Sequence, residues 1–86
     1  MIEVNYKTTF IKAFDDLEEA LQNEIIEKIE LLKSEKNHKQ LKVHKLHGKF
    51  KDKYSFSVNY RYRIVFMYES KNEIVLMAVG DHEIYK

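Results

Sequence analysis

The C-terminal half of this chain alternates in a way that few folds satisfy. Bulky apolar residues recur at every second position: Tyr54, Phe56, Val58 and Tyr60, then Tyr62, Ile64, Phe66 and Tyr68. A period of two sends neighbouring side chains to opposite faces of a strand, so this set faces a core. Glu69-Ser70-Lys71-Asn72 reads as a hairpin turn into residues 74–79, a run apolar at every position and so expected to be central in its sheet. Gly80 closes that strand. The pattern predicts a three-stranded antiparallel meander.

Upstream, the period changes. Ile2-Glu3-Val4-Asn5-Tyr6 alternates like a half-buried strand. Phe10, Phe14, Leu17, Leu21, Ile25, Ile29 and Leu32 then follow at helical spacing, with most acids off that line. Thr8 or Thr9 is placed to cap the first of two helices, with a break near residues 15–18. The acids Asp16, Glu18, Glu19, Glu24, Glu27 and Glu30 read as a solvated helix face. Residues 35–49 have no clear period and read as a basic connector ending in the turn His47-Gly48. The expected fold is α+β: an N-terminal strand and two helices packed on an antiparallel sheet of about four strands.

At 86 residues, with no repeat, proline or linker, residues 1–86 are expected to form one domain. The chain has no cysteine, which removes disulfides and thiolate metal sites and agrees with a cytoplasmic home. No apolar run approaches the roughly 20 residues that cross a bilayer. The net charge of +1 conceals a strong asymmetry. Residues 36–63 carry nine Lys and Arg against one acid, while residues 1–35 carry four against nine. A basic block of this kind meets phosphate or an acidic protein partner.

Within that block, Arg61 and Arg63 fall at odd positions and are expected on the sheet face away from the core, with Lys53, Ser55 and Ser57 beside them. Such a face can hold a phosphodiester, with arginine as a two-pronged clamp on phosphate oxygens. It can equally be an open, solubilising face. Histidine as a residue type can act as acid or base near neutral pH, so two of His44, His47 and His82, if suitably placed, can supply a base and an acid for cutting RNA through its own 2′-hydroxyl. Each can also be an ordinary surface or hydrogen-bonded residue, which is the reading for His38. No carboxylate or cysteine accompanies His38, His44 and His47 at ligand spacing, so neither a metal nor another cofactor is assigned.

The series Leu46-His47-Gly48, Tyr54-Ser55-Phe56-Ser57-Val58, Tyr62-Arg63-Ile64-Val65-Phe66 and Val79-Gly80-Asp81-His82-Glu83-Ile84-Tyr85 resembles the RelE/ParE superfamily of toxins from type II toxin–antitoxin modules. It most resembles the ribonuclease branch that includes the RelE, YoeB and YafQ toxins. The resemblance implies a ribosome-dependent mRNA endoribonuclease held in check by an antitoxin in a hetero-oligomer. It implies Arg63 at the scissile phosphate, His82 as general acid, Tyr85 as the aromatic that orients substrate, and His44 in the neighbourhood of the base. Arg61 and Lys53 are then supporting phosphate contacts, with Lys45, Lys49, Lys51 and Ser57 in the substrate path. Ser57 stands where other members carry arginine or histidine. The alternatives are a gyrase-inhibiting toxin of the same fold and a non-catalytic protein or nucleic-acid interaction module.

Overall fold

The computed structural model describes residues 1–81. The elements run β1 (Glu3–Tyr6), α1 (Thr8–Asp15), α2 (Glu19–Leu32), β2 (His44–Lys45), β3 (Tyr54–Ser57), β4 (Arg63–Ser70) and β5 (Glu73–Gly80). Short 3-10 turns at Glu35–Asn37 and Gly48–Phe50 punctuate the basic connector. The sheet is mixed and five-stranded, in the order β1-β5-β4-β3-β2. The meander β3-β4-β5 is antiparallel as expected, and β1 joins it in parallel against β5, with Glu3 opposite Glu73 and Tyr6 opposite Leu76. The fifth strand is the two-residue β2, which the irregular pattern of residues 35–49 gave no means of expecting.

One sheet face carries the core. Phe56, Ile64, Phe66, Ile74 and Leu76 are fully buried and cluster with Leu21, Ile25, Ile29 and Leu32 of α2. Those four α2 positions lie four, four and three residues apart, the stripe a single helix face presents. Helix α1 adds Phe10 and lies against β5, where the Thr9 hydroxyl donates to the Met77 carbonyl at 2.7 Å. Thr9 therefore ties helix to sheet, and Lys7 occupies the N-cap position with no side-chain cap.

The register slips by one residue between the Val65–Ala78 and Phe66–Leu76 pairs, so Met77 is a bulge. Beyond it, Val79 rejoins the core face opposite Ile64 although its number is odd. That switch of face, together with neighbours on both sides, explains why β5 is apolar at nearly every position. The other face of the sheet is not an open basic surface: Ser55, Val65 and Val75 on it are buried.

Candidate active-site groove

The edge strand β2 pairs with β3, setting His44 opposite Ser55 and Lys45 opposite Tyr54. Directly paired residues share a face, so His44 lies on the side of Ser55, Ser57 and Arg63, and Lys45 on the core side with Tyr54. One row further along, Ser57 pairs with Arg63, which pairs in turn with Gly80. Arg63 is half-buried there, with a glycine as its β5 neighbour. One of its guanidinium N–H groups (Nη1) donates to Ser57 Oγ at 2.8 Å. Arginine has five such donors, and the bond to Ser57 orients the fork while using one of them. The one ion pair among the described residues is Lys33–Glu30, remote from this site, and the Arg63 charge is not spent on it.

His44 is exposed and its Nδ1 lies 2.8 Å from the Lys42 carbonyl oxygen. A carbonyl only accepts, so Nδ1 carries the proton, and in the neutral ring Nε2 holds the lone pair. Lys42 itself has a left-handed backbone, with φ 60°. Such a conformation is uncommon outside glycine and recurs where a site needs one atom in one place. Here the atom is the carbonyl that orients His44.

These residues converge on a groove of about 900 Å³. Arg63, Ser57 and His44 line it with His47, Lys28, Lys42, Phe50 and Tyr60. Lys45, Lys49, Lys51 and Lys53 are not among its walls: Lys45 turns to the other face, and Lys49 lies 5.2 Å from the centre of the Phe50 ring. Arg61 departs further from its expected place. Strand β4 starts at Arg63, and Arg61 sits in the preceding turn, over the Tyr62 ring at 5.5 Å. It lines a separate cavity with Asp16, Glu18 and Glu24, so the two arginines do not form one clamp. His82 and Tyr85 lie outside the described residues. His38 is structural, donating from Nε2 to the Leu32 carbonyl at 2.8 Å.

Tyr60 was concealed by its own pattern. The alternation places it inward, yet it is 96% exposed at the groove. Asn59 causes the difference. Its Oδ1 accepts from the backbone N–H groups of Arg61 and Tyr62, and its Nδ2 donates to Glu24 Oε1 of α2 at 2.8 Å. An asparagine bonding to the backbone two and three residues ahead makes a turn, and β3 stops at Ser57. Asn59 in an alternating run is the signal that points to it.

A family model described as a RelE-like toxin of the type II toxin–antitoxin system HigB matches residues 4–82. No curated protein is similar enough in sequence to count as a relative. Among solved structures, a conserved hypothetical protein from Helicobacter pylori is 27% identical, with TM-score 0.73 over 96% of this chain and 97% of that one. RelE in the RelE–RelB complex of the archaeon Pyrococcus horikoshii is 21% identical, with TM-score 0.71 over 93% of each chain. YafQ from E. coli is only 13% identical yet reaches TM-score 0.79 over 99% of this chain and 98% of that one. The last two show the same fold, and the family match extends over nearly the whole sequence. This chain belongs to the HigB-like toxins, RelE-like members of type II toxin–antitoxin systems.

Proposed function

We propose that this toxin is a metal-independent endoribonuclease that cuts mRNA on the ribosome, in the cytoplasm, and is silenced by a cognate antitoxin. The observation that carries this reading is the convergence of Arg63, Ser57 and His44 on one groove. In the proposed reaction a ribose 2′-oxygen attacks the adjacent phosphorus, the bond to the 5′-oxygen breaks, and a cyclic phosphate forms. The nucleophile belongs to the substrate, so the protein needs to supply a base, an acid and a positive charge. His44 Nε2 accepts the 2′ proton. Arg63, oriented by Ser57, meets the charge that builds on the phosphoryl oxygens as the fifth bond forms. His82 has the role its place in the C-terminal motif implies, giving a proton to the departing 5′-oxygen, with Tyr85 orienting the substrate. Lys28 and Lys42 at the groove add long-range attraction for the RNA strand.

The antitoxin is supported by the family and by the RelE–RelB complex from P. horikoshii, a toxin–antitoxin assembly. The HigB-like match favours mRNA cleavage over gyrase inhibition. Primer extension on mRNA from cells briefly expressing the chain tests the reading. Codon-phased cuts are expected, reduced about 10²–10⁴-fold in His82→Ala. Growth arrest with intact mRNA would overturn it.

A further inference from the structure

We infer that Tyr60 is a base-stacking platform, held by the Asn59 turn at the groove to seat the nucleobase beside the phosphate that Arg63 binds. The inference rests on the ribonuclease reading and adds how the strand is positioned. Tyr60 is 96% exposed, whereas Tyr6, the next most exposed aromatic among the described residues, is 46% exposed. A side chain that open contributes almost nothing to the core, yet its backbone is well anchored. Asn59 holds the turn through two backbone N–H groups and ties it to Glu24 on α2. The Val58 N–H donates to the Tyr62 carbonyl at 2.9 Å and closes the base of the turn.

Tyr60 is three residues from both Ser57 and Arg63, the pair that ends the β3–β4 ladder. Three residues span at most about 10 Å of chain, so its backbone lies within roughly 10 Å of that pair. On this scale a phosphate can rest on the guanidinium while the base next to it reaches the phenol ring. Single-stranded RNA is bound in this way, by flat aromatic faces beside a cationic track, and stacking tolerates any base because each has a π face. Lys28 and Lys42 supply the cationic track in the same groove. The chemistry of the ligand is therefore a splayed, single-stranded ribonucleotide.

The chain contains no tryptophan, so Tyr60→Trp creates a single tryptophan, whose emission can be excited selectively over that of the remaining tyrosines. A short single-stranded RNA with 2′-O-methyl riboses, which cannot cut itself, is the probe. Saturable quenching that weakens with salt is expected. Tyr60→Ala should bind the same probe about 5- to 150-fold more weakly, and Tyr60→Phe should recover most of that loss. On mRNA-programmed ribosomes, the alanine variant should raise KM more than it lowers kcat. If quenching is absent and the alanine variant binds RNA within twofold of a wild type that still cuts, the platform is wrong and the nuclease stands. Quenching in a protein that cuts no RNA supports the platform and removes the nuclease. An alanine variant that keeps its RNA affinity and loses only its antitoxin makes Tyr60 a protein anchor and overturns the inference.

Discussion

At Arg63, shape matters as much as charge. Ser57 holds one prong of the guanidinium, and Arg63 lines the groove. A lysine there would keep the positive charge while losing the planar, multidentate grip. Arg63→Ala is therefore expected to lower the single-turnover cleavage rate on programmed ribosomes by about 10²–10³-fold, the loss typical of one transition-state donor, and Arg63→Lys should recover only part of it. Full activity in Arg63→Lys would mean that bulk charge, and not the oriented fork, does the work. Arg63 was legible in the sequence because it sits at an odd position of a clean two-residue period, off the core face. His44 was legible only as a residue type. What fixes its ring is the Lys42 carbonyl, placed by a left-handed backbone that no spacing rule reveals. Arg61 and Tyr60 were misplaced by the same rule, because the period of two was carried through Asn59, where side-chain hydrogen bonds had already ended the strand.

Among the elements, α2 shows most plainly how a pattern becomes an interface. Ile25 is fully buried against the sheet, while its neighbour Ile26 is 51% exposed. Ile25→Ala is expected to cost about 2–5 kcal/mol, from lost transfer energy and the cavity left behind. Ile26→Ala should stay within about 0.5 kcal/mol. Urea titration of the two variants measures both, and equal losses would contradict this packing. Both helices and the meander were readable because their periods persist over many residues. The strand β2 was not: two residues are too few for a period, and its pairing is decided by β3. The β5 bulge was likewise hidden, since an apolar run looks the same whether or not it switches face midway.

For the whole molecule, alkaline stability follows from one half-buried phenol. Burial holds the Tyr68 hydroxyl above its usual value of 10.0, and Tyr54 and Glu35 add to that shift. The folded chain thus keeps this proton where the unfolded chain has begun to lose it. The resulting stability is complete below about pH 10 and disappears as pH rises through the folded value. Tyr68→Phe should flatten the alkaline fall in a melting-temperature series. Lys33, raised by its hydrogen bond to Glu30, acts in the same direction, so some fall remains. The parallel pairing of β1 with β5 is the global feature that the expected antiparallel sheet missed, because an alternating strand has no preferred direction in its pattern. Its consequence concerns the time at which the protein exists at all. Glu3 and Glu73 are 70 positions apart in the chain, and β1 pairs only with β5, the last of the five strands in chain order. Contacts this remote carry a high loop-closure cost and form late. Until β5 is made, β1 has no partner strand and the sheet that carries Arg63 on β4 is incomplete. On the reading proposed above, a cell making this toxin holds an inactive intermediate until β5 is delivered, which leaves an interval in which an antitoxin can meet the chain before its groove is built.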